Sequence, residues 1–129
     1  MKCIAITGIS RRVCEDIIEN QVKTIEIRSA HNIASVLSAE IGSCIFITHV
    51  RHADLDRGVL GIISVLRGKE IISHTMVFGR DHIFEEQEMT VARIQISSVG
   101  LGRVRNVVSE GIAEPTVVDV DEVAHYPAR

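Results

Sequence analysis

Both helix-type patterns of this 129-residue chain fall in its first third, and the remainder is patterned as strands. Apolar residues recur at helical spacing over 11–20 and 29–39, behind Ser10 and behind Ser29 or Asn32 as N-caps. Strands that follow one another without intervening helices cannot build a repeating β-α-β sheet. The order of elements therefore predicts an α+β fold, a small mixed and largely antiparallel β-barrel with two helices in its N-terminal third.

Strand-type segments occupy most of the rest of the chain. Arg67-Gly68-Lys69 predicts a hairpin turn, 79–88 a polar loop or short helix, and Gly100-Leu101-Gly102 a break in a strand. Pro115 predicts that the last strand lies at a sheet edge. The predicted strands cover residues 4–6, 23–28, 44–50, 59–66, 70–78, 91–98, 103–108 and 115–120.

The length fits one domain over residues 1–129, with an acidic C-terminal segment from about 110. Aromatic residues make up 3% of the chain and Trp is absent, which excludes a broad base-stacking platform. The net charge is −3, but residues 1–109 taken alone carry 12 acids and 13 bases, so an acidic end could mask a basic face. Without a long apolar run or a signal-peptide pattern, we expect a cytoplasmic protein and no membrane partner.

The cysteines do not form a recognisable pattern. Cys3, Cys14 and Cys44 are odd in number and lack C-x-x-C spacing, which predicts free, buried thiols and neither a disulfide framework nor a zinc site. No other feature calls for a cofactor or a metal.

One strand concentrates charged residues. In Gln21-Val22-Lys23-Thr24-Ile25-Glu26-Ile27-Arg28, strict alternation puts Thr24, Glu26 and Arg28 on the face opposite Ile25 and Ile27. This stretch resembles the G-x-K-x-x-E-x-R signature of the ASCH superfamily, whose members have a small PUA-like barrel. The resemblance covers roughly residues 10 to 75 and implies a PUA-like fold. The whole chain also resembles an archaeal protein family of unknown function.

The chain departs from that signature at informative positions. Gln21 replaces the glycine, and Ser43 replaces the acid after Gly42. In ASCH members that hydrolyse acylated nucleosides, a threonine nucleophile stands where this chain has Glu26. Thr24 lies on the same strand face but about 6 to 7 Å away along the strand, too far to replace it.

The motif residues can act in two ways. Arg28 offers a donor fork for a phosphate, Lys23 a point charge or base, and Glu26 can orient either or accept from a base amino group. The alternative is an exposed salt-bridge ladder worth at most about 1 kcal/mol. We therefore name Lys23, Thr24, Glu26 and Arg28 as candidate ligand-binding residues, with Lys23 and Glu26 as the catalytic pair if the protein is an enzyme.

Further arginines would supply a phosphate-tracking face if they converge on the motif strand. The nucleic-acid-binding candidates are Arg11, Arg12, Arg51, Arg103 and Arg105, and Arg57 and Arg93 belong to the same basic set. Among the histidines, the segment from His49 to Asp56 has the ingredients of a metal loop but is better explained as ordinary polar loop. His31 and His74 are interpreted as structural.

These observations leave three functions open. The first is an RNA-, nucleotide- or modified-nucleoside-binding module with its cleft at the K-x-x-E-x-R strand. The second is a small hydrolase, either a nucleoside amidohydrolase or a nuclease, using Lys23 and Glu26. The third is a non-catalytic domain for protein interaction or homo-oligomerisation, which would use the apolar runs 59–66 and 70–78 as a partly exposed edge.

Overall fold

A computed structural model describes residues 1–80, 83–109 and 114–125 of the chain. The elements in this part are two helices, six strands and a short 3-10 turn at His52–Asp54. The helices are α1 (Arg11–Glu19) and α2 (Ala30–Ser38). The strands are β1 (Lys2–Ile6), β2 (Thr24–Ile27), β3 (Cys44–Ile47), β4 (Leu60–Arg80), β5 (Ile83–Ser109) and β6 (Val117–His125).

Five of the strands close into a ring of hydrogen-bonded neighbours, in the order β4, β3, β1, β6, β5 and back to β4. The pairing of β1 with β3 is parallel, and every other pairing in the described sheet is antiparallel. β2 joins from outside by pairing with β5. The predicted α+β class and mixed, largely antiparallel barrel-like architecture are confirmed.

The sheet buries apolar side chains on both of its faces. Along β1, Cys3 and Ala5 lie in the core inside the ring, whereas Ile6 lies in the core beneath the helices. In β3, Phe46 lies in the core inside the ring and Ile47 in the core beneath the helices, because successive side chains of a strand point to opposite faces. This is why several strands are apolar runs without polar alternation.

Both helices begin at the serines that the sequence indicated. The Ser10 hydroxyl accepts from the Val13 N–H, and the Ser29 hydroxyl accepts from the Asn32 N–H, each over 3.2 Å. The buried Asn32 amide fastens α2 to the end of β1: its nitrogen donates to the Thr7 carbonyl over 2.7 Å, and its oxygen accepts from the Thr7 N–H over 3.2 Å. Asn32 therefore anchors a helix rather than capping it.

A lysine of β4 binds the carbonyl groups at the C-terminal end of α2. The Nζ of Lys69 donates to the carbonyls of Val36, Leu37 and Ala39 over 3.2, 3.0 and 2.6 Å. The last carbonyls of a helix have no hydrogen-bond partner within the helix and carry partial negative charge. An ammonium group supplies them with donors and with an opposite charge. Lys69 thus joins α2 to the sheet.

Two predicted interruptions are absent, because β4 and β5 form one long antiparallel hairpin. Arg67-Gly68-Lys69 is not a turn: β4 passes through it with a bulge between Leu66 and Gly68. The predicted loop at 79–88 is also wrong, since the strands pair as far as Arg80 and Ile83. Residues 81 and 82 lie outside the described part. At these positions the strand bends at a bulge instead of reversing in a turn, because a bulge kinks a strand while its pairing continues.

The glycines of Gly100-Leu101-Gly102 do not break the strand but let three strands approach closely. A Cβ at Gly100 would collide with the Ala124 carbonyl oxygen of β6. A Cβ at Gly102 would collide with Val120 and lie 2.7 Å from the Cδ1 of Ile63. The predicted strands 91–98 and 103–108 are consequently both parts of β5.

Edge positions also differ from the prediction. β6 pairs with both β1 and β5, so the last strand is not an edge. The first half of β4 lies between β3 and β5 with Ile62, Ile63 and Leu66 buried, so the run 59–66 is not an exposed edge either. Within the acidic segment from about 110, residues 110–113 and 126–129 lie outside the described part, and 117–125 form β6.

Two of the three cysteines are bonded to each other, contrary to the prediction of free thiols. Cys3 of β1 and Cys44 of β3 form a disulfide with their Cα atoms 4.6 Å apart. The parallel register sets Ile4 beside Ile45, which brings the preceding residues of the two strands together. Only Cys14 is a free thiol, half-buried, and burial and the nearby Glu15 charge raise its pKa. Sequence spacing could not reveal this pair, because it depends on strand order.

We expect the Cys3–Cys44 bond to stabilise the fold by about 2 to 4 kcal/mol, because it restricts the unfolded chain over a 41-residue separation. The urea midpoint should fall by the corresponding amount on reduction or in Cys3→Ala/Cys44→Ala. Thiol labelling of the unfolded, unreduced chain should detect one cysteine, and three after reduction. Three reactive thiols before reduction would contradict the disulfide.

Lys69→Met keeps most of the side chain's length and removes the ammonium, so the carbonyls at the end of α2 lose their donor. We expect the free energy of unfolding to fall by about 1 to 2 kcal/mol. Lys23→Met is the matched control, and at that exposed position the change should stay within about 0.5 kcal/mol. Equal stabilities of the two variants in urea would show that Lys69 does not support the helix.

Candidate anion-binding face

The motif strand and its neighbour form a charged triad, which consists of Glu26, Arg28 and Arg93. The antiparallel register sets Glu26 of β2 opposite Arg93 of β5. The Oε2 of Glu26 lies 3.3 Å from the Nη2 of Arg28, and its Oε1 lies 3.3 Å from the Nη2 of Arg93. One carboxylate therefore holds two guanidinium groups side by side.

The charged triad is open to solvent. The side chains of Arg28, Arg93 and Glu26 are 70%, 45% and 44% exposed. Hydrogen bonds from Arg93 and then Arg28 lower the pKa of the Glu26 carboxyl. Glu26 therefore stays ionised well into the acid range, and the triad carries one net positive charge at neutral pH. Such an arrangement can bind an anion, but it suits proton transfer near neutral pH poorly.

Lys23 and Thr24 do not join this contact network. Lys23 precedes β2, is exposed, and its backbone carbonyl accepts from the Ile96 N–H over 2.7 Å. Thr24 is exposed opposite Gln95, on the same strand face as Glu26. Across the described residues, no ion pair joins Lys23 to Glu26.

The backbone turn expected of a glycine is present at Gln21. Its φ is +55°, in the left-handed region that glycine enters most easily. The turn follows the end of α1, where the N–H of Val22 donates to the Asp16 carbonyl over 3.3 Å. Gln21 therefore forms the turn that leads into β2 although it is not a glycine.

The remaining candidate arginines lie on other elements. Arg11 and Arg12 occupy the first turn of α1, and Arg51 precedes the 3-10 turn; all three are exposed. Arg103 is exposed on β5, with Leu60 and Asp121 as its neighbours in the register. In the described structure, neither an ion pair nor a hydrogen bond connects any of these residues to the charged triad.

Arg105 is neutralised by the acidic last strand. Its Nη2 lies 3.2 Å from Asp119, and its Nη1 lies 3.6 Å from Asp121. Asp119 also accepts from the Met1 amino group over 2.8 Å, and that bond and the Arg105 charge lower its pKa. The acidic segment therefore does cover one basic residue, although it does not reach the charged triad among the described contacts.

A second polar cluster joins residues that are distant in sequence. The rings of His31 and His52 lie 4.3 Å apart between centroids, and the Nε2 of His31 is 3.2 Å from the Thr116 hydroxyl. Burial and the charge of His52 lower the pKa of His31. The His49–Asp56 segment thus contributes a contact to α2. The described residues contain no group of three or more His, Cys, Asp or Glu side chains that could hold a metal ion.

Sequence reasoning placed Arg93 in the basic set but not in the motif site. Its alternation with Ala92 and Ile94 was visible, but only the antiparallel register shows that it faces Glu26. The His31–His52 contact has no sequence signal at all, because it depends on how α2 and the 3-10 turn meet in space.

These features define a small α+β barrel-like protein with an arginine-flanked carboxylate on the sheet face opposite the helices. The chain belongs to the DUF473 family of proteins of unknown function, whose model matches residues 1–118. It is 31% identical over 103 residues to the uncharacterized protein MJ0105 of Methanocaldococcus jannaschii. The match covers 80% of this chain but 64% of that relative, which is less than two thirds of its length. No solved structure matches the chain.

None of the helices in the described ranges is long and apolar enough to cross a membrane.

The charged triad predicts a response of the Glu26 pKa to either arginine. Arg93→Gln and Arg28→Gln should each raise it toward its ordinary value, because each removes a hydrogen bond to the carboxylate. Carboxyl-detected NMR titration measures this directly. Arg105→Gln is the control and should raise the pKa of Asp119 while leaving Glu26 unchanged. An unmoved Glu26 in Arg93→Gln would mean that the contact does not persist in solution.

Proposed function

We propose that this protein is a binding module for phosphate-bearing ligands, RNA or nucleotides, and that Arg28 and Arg93 contact the phosphate. The observation that carries the proposal is the shared carboxylate of Glu26, which holds two exposed guanidinium groups next to each other. A guanidinium offers five N–H donors in a planar fork, and the contact with Glu26 engages one terminal nitrogen of each. The outward N–H groups suit the geometry of phosphate oxygens.

The distribution of charge supports an anionic ligand. Three bases, Lys23, Arg28 and Arg93, lie on or beside β2. The acids next to them are Glu26 and Glu70, and Glu70 lies opposite Arg93 on β4. The remaining local excess of positive charge attracts a phosphate group before specific contacts form.

The resemblance of the motif strand to the ASCH signature also supports a ligand-binding role for this strand. Under the proposal, Glu26 is a positioning residue that fixes both arginines, and Thr24 offers a hydroxyl on the same face. Arg11, Arg12, Arg51 and Arg103 would contribute only if a longer nucleic acid extends from the triad to the elements that carry them. A modified nucleoside without phosphate would use fewer of these contacts.

The hydrolase alternative has less support. Glu26 is held ionised by two arginines, so it is a poor general acid near neutral pH. Lys23 is exposed, whereas a lysine base is normally desolvated. The position that would carry the threonine nucleophile is Glu26 itself.

Arg28→Ala and Arg93→Ala should each weaken binding of a short single-stranded RNA about tenfold, because each removes a charge-assisted contact. Each should also reduce the slope of log affinity against log salt concentration by about 0.7, the value for one phosphate contact on a single strand. Fluorescence anisotropy at several salt concentrations measures both quantities.

Arg105→Ala is the matched control, since Asp119 and Asp121 already neutralise that arginine. It should leave the affinity and the salt slope unchanged. Inorganic phosphate and a nucleoside monophosphate, added as competitors, distinguish a phosphate site from recognition of a longer strand. If all three variants bind RNA like the unmodified chain, the charged triad is not the binding face.

A further inference from the structure

A second row of residues crosses the sheet next to the charged triad, and we call it the amide row and define it as Thr24, Gln95 and Gly68. The register sets Thr24 of β2 and Gly68 of β4 on either side of Gln95 of β5. Gln95 and Arg93 are two residues apart on β5, so their side chains point to the same face of the sheet. The amide row is therefore the immediate neighbour of the arginine-flanked carboxylate of Glu26.

The side chain of Gln95 lies across the neighbouring strand, above Gly68. A Cβ built on Gly68 would be 3.0 Å from the Oε1 of Gln95 and 3.5 Å from its Cδ. Any side chain at position 68 would compete with the amide for this space. The glycine thus gives the Gln95 amide a defined place on the sheet surface.

The Gln95 amide is exposed and available to a ligand. Among the described residues, its side chain forms no hydrogen bond with another part of the chain. A primary amide has one carbonyl acceptor and two N–H donors. These groups can exchange hydrogen bonds with water for hydrogen bonds with a ligand, and no bond within the protein has to break.

The spacing between the amide and the arginines fits a molecule that joins a phosphate to a planar polar group. Two residues along β5 separate the Cα atoms of Arg93 and Gln95 by about 6 to 7 Å. In a nucleoside monophosphate, one ribose separates the phosphate from the base, and the edges of bases carry neighbouring hydrogen-bond donors and acceptors. A glutamine amide can pair with such an edge through two hydrogen bonds.

Recognition at the base edge also agrees with the composition of the chain. Aromatic residues make up 3% of the sequence, so stacking of bases on aromatic rings has little to draw on. A base that is held at its edge by an amide does not need an aromatic platform. In addition, β2 is the terminal strand of the sheet, and the small side chain of Thr24 leaves the amide open from that side.

We propose that Gln95 is a specificity-determining residue of the anion-binding face: its amide hydrogen-bonds the base of a nucleoside phosphate while Arg28 and Arg93 hold the phosphate. The inference rests on the function proposed above and adds the base to the ligand. It distinguishes nucleotides from inorganic phosphate and from sugar phosphates, which have no group for the amide to bind.

Chemical-shift titrations of the ¹⁵N-labelled chain with adenosine monophosphate and with ribose 5-phosphate give the two dissociation constants. Adenosine monophosphate should bind about tenfold more tightly, because the base adds two hydrogen bonds with the amide. Gln95→Leu keeps the approximate size of the side chain and removes the amide. It should weaken binding of adenosine monophosphate about tenfold and leave the affinity for ribose 5-phosphate unchanged.

The side-chain amide resonances of Gln95 provide a direct readout and are assigned by their loss in Gln95→Leu. They should shift with adenosine monophosphate and not with ribose 5-phosphate, a difference that a purely structural role would not produce. The matched control is Asn106→Leu, because Asn106 is an exposed amide on the same strand, opposite Asp119. This control should change neither affinity.

Each alternative result has a distinct meaning. Equal affinities for the two ligands, both weakened by Arg28→Ala, would leave the phosphate site in place and overturn the role of Gln95. Equal losses for both ligands in Gln95→Leu would show a structural effect and would also overturn it. No binding of either ligand at millimolar concentrations would overturn the anion-binding function and this inference together.

Discussion

Closure of the sheet through β5 is the constraint on which the rest of the structure depends. This strand pairs with β4 along one edge, and with β2 and further along with β6 on the other edge. Closing the ring between β4 and β6 requires β5 to bend, and its bulges and the glycines Gly100 and Gly102 allow that bending and the close approach of β6. The same strand carries Arg93 to the motif strand.

The two faces of β2 carry different kinds of side chain. On the face of β2 opposite the helices, alternation exposes Glu26 and Arg28 beside Arg93, and the ion pairs hold these side chains together. Exposed ion pairs contribute little stability, and here they hold two guanidinium groups next to each other. On the helix side, the same alternation buries Ile25 and Ile27.

How far the sequence predicts this protein depends on the range of each interaction. Helix starts at Ser10 and Ser29 were predictable, because a capping hydroxyl acts within three residues. The charged face of β2 was predictable from period-two alternation. The turn at Arg67-Gly68-Lys69 was predicted wrongly, because glycine marks a turn and a bulge with the same local signal.

By itself, the sequence determined the fold class, both helices, the alternating motif strand and its charged residues, since these follow from local periodicity and capping. Only the tertiary structure decided which strands are neighbours. It therefore also decided the Cys3–Cys44 bond, the placement of Arg93 beside Glu26, and the contact between His31 and His52. The physical reason is that register and strand order depend on burying both sheet faces at once, and that condition is satisfied by the whole chain and not by any segment of it.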